Sequence, residues 1–118
     1  MSRNRAEAEH RGRKGEWLAA WYLRLSGWRI LAQRQKTPRG EVDIVARRGK
    51  VVAFVEVKWR KSRADLALAI DERRLRRVVA AAEVLAPRFV KAGEDLRIDV
   101  LLLAPGRFPR HIANASLC

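Results

Sequence analysis

The chain has little of several things. Of its 118 residues only one is cysteine, Cys118. This rules out an internal disulfide framework and any zinc site built on several thiolates. No apolar run approaches the ~18 residues of a membrane span, so the expected setting is cytoplasmic with no membrane partner. The basic opening leads into "GEWLAAWYLRL", which Glu16 and Arg24 interrupt, and it makes a poor signal peptide. Acidic residues are scarce too, 13 against 26 Lys and Arg, for a net charge of +13. Arg outnumbers Lys, and its guanidinium matches phosphate oxygens with a planar fork. The imbalance points to a polyanionic partner, most often nucleic acid. High Arg and Ala usage from a GC-rich genome is the plainer alternative.

The length suits one domain, 1–118, with a core of its own. Helical spacing of Leu18, Trp21, Tyr22 and Leu25 predicts a helix over 5–25, stopped by Gly27. A second stripe, Gly12, Glu16, Ala19, Ala20 and Leu23, is small enough to lie close to a sheet, and Glu16 is an odd member of it. Strand expectations follow at 28–34, with 35–40 as a loop, then at 41–47 and 50–59, and at 96–104. A second helix is expected over 71–86, with Leu75, Val78, Val79, Ala82 and Leu85 inward, Arg73, Arg74, Arg76 and Arg77 elsewhere, and Pro87 ending or kinking it. The tail has room for one short edge strand. The order α-β-β-β-α-β implies an α/β fold, a mixed sheet with helices on its faces.

"RGEVDIVARRGKVVAFVEVKWRK", residues 39–61, places three of the few acids on what otherwise reads as an apolar hairpin. With Arg48-Gly49 as the loop, Arg47 pairs with Lys50, Glu41 falls opposite Glu56, and Asp43 falls opposite Phe54. Alternation then projects Glu41, Asp43, Phe54, Glu56 and Lys58 from one face. Facing carboxylates repel. A hard divalent cation, Mg²⁺ or Mn²⁺, relieves that conflict with oxygen ligands from Asp43 and Glu56, and the Val57 carbonyl is a further candidate. Lys58 is placed to orient or deprotonate an attacking water. A solvated sheet face with Glu–Lys pairing is the plain alternative.

The same stretch closely resembles the signature of the YraN-type family of small bacterial endonuclease-like proteins, itself similar to the restriction-endonuclease-like PD-(D/E)xK superfamily. "GRKGEWLAAWYLRLSGWRIL", "RRLRRVVAAAEVLA", "LRIDVLLL" and "HIANAS" extend the resemblance over nearly the whole chain. It implies a restriction-endonuclease-like core and a Mg²⁺-dependent nuclease acting on DNA, selective for structure rather than sequence. In it Asp43, Glu56 and Lys58 match the catalytic acids and lysine, and Glu16 completes the metal site. The proline of the superfamily's name is absent, since Val42 precedes Asp43. Arg73 stands where the family often shows Lys, which suits phosphate contact better than proton transfer. Many junction-cutting relatives are dimers, so a homodimer is implied, although no self-complementary surface is legible.

Arg11, Arg13, Lys14, Arg34, Lys36, Arg39, Arg60, Lys61 and Arg63 flank the proposed site and suit a channel for backbone phosphates. Arg13, Lys14, Arg39, Arg60, Lys61 and Arg73 are the foremost nucleic-acid-binding candidates. Trp17 and Trp21 are expected in the core, Trp28 as a strand anchor and Trp59 on the face away from Lys58. Asp99 is expected to pair with an Arg, and His10 and His111 to be ordinary surface residues. A basic adaptor of the same fold, without catalysis, is the rival function.

Overall fold

The computed structural model describes residues 15–59 and 72–115. Helix α1 is helical from 15 to 25. Strands β1 (Arg29–Thr37), β2 (Gly40–Arg48) and β3 (Val51–Trp59) follow as a meander. Helix α2 (Glu72–Phe89) then leads to β4 (Asp95–Leu103) and a short β5 (Arg110–Ile112). The strands form one sheet in chain order. All neighbours are antiparallel except β3 and β4, which pair in parallel from Val51↔Asp95 to Trp59↔Leu103. The expected order is thus present, with β5 as the anticipated edge strand.

Alternation along the central strand divides the core. Ala53 and Val55 pack with Ala19, Ala20 and Leu23 of α1, together with Trp28. Val52 and Phe54 pack with Val78, Ala81, Ala82 and Leu85 of α2. The helices therefore cover opposite faces of the sheet. On α1 the small-residue stripe faces the sheet, because Ala lets the helix axis approach. Of the bulkier stripe only Leu18 and Tyr22 pack partly against this core. Trp17, Trp21 and Leu25 are exposed, which corrects the expectation that both tryptophans are core. Gly27, at φ +92, closes α1. Trp28 N–H donates to Leu23 O at 2.9 Å and Gly27 N–H to Arg24 O at 3.1 Å, the pair of bonds that left-handed glycine permits at a helix end.

Three of the differences from the expected boundaries have a clear physical cause. β1 continues to Thr37, leaving only Pro38 and Arg39 as the turn, because the Thr37 hydroxyl oxygen accepts the N–H of both Arg39 and Gly40 at 3.1 Å. Helix α2 runs through Pro87 to Phe89. In the last turn a proline forfeits a single backbone bond, and Val90 N–H still reaches Ala86 O at 2.8 Å. The β2–β3 turn is Gly49-Lys50 rather than Arg48-Gly49, so Arg48 pairs with Val51 and the proposed pairs Arg47–Lys50, Glu41–Glu56 and Asp43–Phe54 are wrong. Gly49 at φ +62 supplies the left-handed first position that the tight turn needs. A shift of two residues keeps parity, so the acids stay on one face.

Candidate functional site

Asp43 sits where the sheet lets go. The β1–β2 ladder pairs Gln33 with Ile44 and Gln35 with Val42, stepping over Arg34 and Asp43. The β2–β3 ladder ends at Ile44↔Val55, one step short of Asp43 and Glu56. In place of a backbone pairing, Val57 N–H donates to Asp43 Oδ2 at 2.7 Å. Arg34 has φ +52, a left-handed conformation that costs a non-glycine residue about 1 kcal/mol or more. Its Nε donates to Glu16 Oε2 at 2.6 Å. The strained position thereby ties α1 to the edge of the meander.

Glu56 lies on β3 at the centre of the sheet and is buried, at 5% exposure, as is Lys58 at 4%. Glu56 Oε1 is 3.1 Å from Lys58 Nζ and 3.1 Å from an Arg74 guanidinium nitrogen. A buried carboxylate needs such partners, since taking an unpaired charge out of water costs several kcal/mol. The walls of the cleft are Glu41, Asp43, Glu56, Arg74, Arg77 and Val78, around a volume of about 330 Å³. Arg74, Arg77 and Val78 share a stripe of α2 by their spacing of three and four. At the mouth, β2 and α2 touch: a Cβ on Gly40 would lie 2.3 Å from the Arg77 carbonyl oxygen.

The cleft's electrostatics centre on Asp43. Burial pushes its carboxyl up, the nearby Glu56 charge pushes further, and Glu16 adds to both. The Val57 N–H and Arg74 oppose them, and the result is a pKa of about 7 against an ordinary 3.8. Three acids from α1, β2 and β3 thus share one field. Among the described residues, no three His, Cys, Asp or Glu side chains are drawn together tightly enough to cage a metal ion.

Of the residues singled out from sequence, Glu16, Asp43, Glu56, Val57 and Lys58 lie in this neighbourhood. Arg39 stands outside the cleft, exposed, with NH1 3.4 Å from Glu83. Arg73 is exposed on α2. Arg13, Lys14, Arg60 and Lys61 fall outside the described residues, as do Arg11, Arg63 and His10. Sequence reasoning did not place Arg74 and Arg77 at the site.

A second polar cluster occupies the other face. Asp99 is fully buried on β4. It accepts two bonds from Arg97, at 2.9 and 2.8 Å, and one from Asn114 N–H at 2.9 Å, and lies 2.7 Å from His111 Nε2. Burial by itself would raise its pKa, but these four bonds and the Arg97 charge hold it down at about 2. The pairing with an Arg is as expected. His111 is not an ordinary surface residue, since its ring also packs 6.2 Å from Tyr22 and from Trp28.

The fold is shared with a solved structure of low sequence identity. It superposes on Hjc, a Holliday junction resolvase of Archaeoglobus fulgidus, with a TM-score of 0.60 at 20% identity, over 86% of this chain and 76% of that one. The restriction-endonuclease-like α/β core expected from sequence is therefore present. Residues 15–103 match the family described as "Uncharacterised protein family UPF0102". Similar relatives are UPF0102 proteins of Erythrobacter litoralis, 69% identical over 92% of this chain and 93% of that protein, and of Sphingopyxis alaskensis, 66% identical over 93% and 95%. The protein belongs to the UPF0102 family, the YraN-type family that the pattern at 40–58 resembles.

Among the described residues no helix is long and apolar enough to cross a membrane.

Proposed function

We propose that the protein is a divalent-metal-dependent endonuclease that hydrolyses phosphodiester bonds in DNA, recognising structure rather than sequence. The observation that carries this reading is Asp43, held by the Val57 N–H at the gap between β2 and β3, in a cleft shared with Glu56 and walled by Arg74 and Arg77. The donor chemistry fits a hard cation: Asp43 and Glu56 both line the cleft, and burial followed by the Glu56 and Glu16 charges raises Asp43. Asp43, Glu56 and Glu16 would hold Mg²⁺ or Mn²⁺. The Val57 carbonyl would join them, because a strand residue's N–H and C=O leave by the same edge. When bound, the ion supplies Lewis-acid stabilisation of a developing oxyanion and a more acidic water.

The chain's own residues do the rest. Lys58, fixed by Glu56, orients the attacking water and offsets charge at phosphorus. Arg74 and Arg77 receive the phosphate from the α2 side, with Arg73 beside them. Arg13, Lys14, Arg39, Arg60 and Lys61 are proposed to follow the backbone further out. The surplus of positive charge draws the polyanion in and makes affinity fall steeply with salt.

A second reading, a non-catalytic nucleic-acid adaptor, is favoured by one observation: both Lys58 and Arg74 already neutralise Glu56. Cleavage assays separate the two. Branched, single-stranded and duplex DNA are incubated with Mg²⁺ or Mn²⁺ and wild-type, Asp43→Ala or Glu56→Ala protein. The nuclease reading expects products from the wild type and their loss in both variants. Binding without cleavage of any substrate in either metal would leave the adaptor. The same samples, run through light scattering with and without DNA, test whether the acting species is a homodimer.

A further inference from the structure

Resting on the nucleic-acid reading, we infer that Trp17, Trp21 and Arg24 form a platform for unpaired bases on the outer side of α1. The three residues share one stripe of α1, on the side that the sheet does not use. Trp17 is 61% and Trp21 47% exposed, whereas Ala19, Ala20 and Leu23 are buried and, with Leu18 and Tyr22, dock the helix. The indole centroids are 6.4 Å apart with their planes at 68°, so each presents a face the other does not cover. The Arg24 guanidinium lies over the Trp21 ring, 5.5 Å from its centre, which puts a cation on the platform itself. Every base has a π-face, so stacking on an indole takes any sequence but requires the base to be out of a duplex. Trp17 directly follows Glu16, whose carboxylate Arg34 ties toward the meander. The platform is thus one residue along the chain from a carboxylate proposed to complete the metal site.

Charge decides between this occupant and a second copy of the chain. The protein carries a net +13 and places a further Arg on the patch itself. Two such surfaces repel, and a polyanion is drawn to either. The substrate class that follows is DNA with an unpaired segment.

The test is metal-free binding, by fluorescence anisotropy in EDTA, of a labelled dT12 and of a blunt duplex of equal length, with cleavage playing no part. Trp21→Ala is expected to weaken dT12 binding roughly tenfold and to leave the duplex within twofold. Trp21→Phe, which keeps a π-face, is expected to restore most of the loss. Trp17→Ala should act in the same direction. Equal losses on both probes, or none on either, would overturn the platform while leaving the nuclease reading in place. Failure of the wild type to bind either probe would remove both. Concentration-dependent dimerisation abolished by Trp21→Ala, with dT12 affinity unchanged, would assign the patch to a second copy.

Discussion

Val57 donates its backbone N–H to the carboxylate of Asp43, 2.7 Å away, at the point where their two strands cease to pair. The bond replaces a ladder rung with a side chain and aims a carboxyl group into the opening. It opposes the burial and the neighbouring acids that together raise that group to about 7. The resulting tension has measurable consequences.

Asp43→Asn is expected to stabilise the protein above neutrality. The folded-state pKa lies above the unfolded one. Between about pH 4 and 7 the folded chain thus holds a proton that the unfolded chain has lost, and stability falls as pH rises through that window. Above pH 7 the penalty is full. Asn keeps an oxygen for the Val57 N–H and carries no charge. Urea denaturation should show a gain of about 1–3 kcal/mol at pH 8 and close to none at pH 4. An equal gain at both values would contradict the assignment. Mn²⁺ calorimetry on the same variant should lose its heat.

Asp99 behaves in the opposite sense. Its folded pKa, about 2, lies below the unfolded value, so its contribution is present above pH 4 and drains away as pH falls toward 2. Asp99→Ala strands Arg97 over a buried surface and should cost about 3–5 kcal/mol at pH 7. The difference from wild type should shrink in acid. A variant as stable as wild type at pH 7 would show that the cluster contributes nothing net.

Arg74→Ala separates two roles of one guanidinium. Arg74 is exposed along most of its length and reaches back to Glu56. Removing it takes a positive charge away from the proposed cation site and a fork away from the phosphate. Mn²⁺ should bind several-fold more tightly while duplex DNA binds more weakly, with a shallower salt dependence by about one unit of slope. Parallel weakening of both would indicate that Arg74 merely holds Glu56 in position.

Gly40→Ala tests the closeness of β2 and α2. The added methyl would meet the Arg77 carbonyl, backbone against backbone, with no flexible side chain to yield. A loss of about 1–3 kcal/mol is expected from the overpacking. Because the strain falls on the helix carrying Arg74 and Arg77, DNA affinity should fall even where folding survives. An unchanged melting temperature would mean the two elements part easily.

Much of the architecture was legible because it follows from period and punctuation. The short β-branched apolar run of 51–57, the helical stripe from Leu75 to Leu85 and the glycine after α1 each point to one element. The co-location of Asp43, Glu56 and Lys58 was legible too, since parity survives a two-residue slip in the turn. That slip itself was not, because both Arg48-Gly49 and Gly49-Lys50 offer a glycine to the turn. The tryptophans of α1 misled because size was taken as the measure of burial, whereas close approach to a sheet selects the small stripe instead. Arg74, Arg34 and His111 were out of reach for another reason. Each acts on a residue 12 to 18 positions away, and no local pattern encodes such a meeting.

The parallel alignment of β3 with β4 also sets an order of events during synthesis. A nascent chain that has emerged only as far as α2 possesses the whole meander yet lacks the strand that shelters one side of Glu56 and Lys58. Those two charges would stay wet until residues 95–103 left the ribosome. The cleft around Glu56 and Lys58 is therefore closed only once β4 is in place, well after both residues have been made.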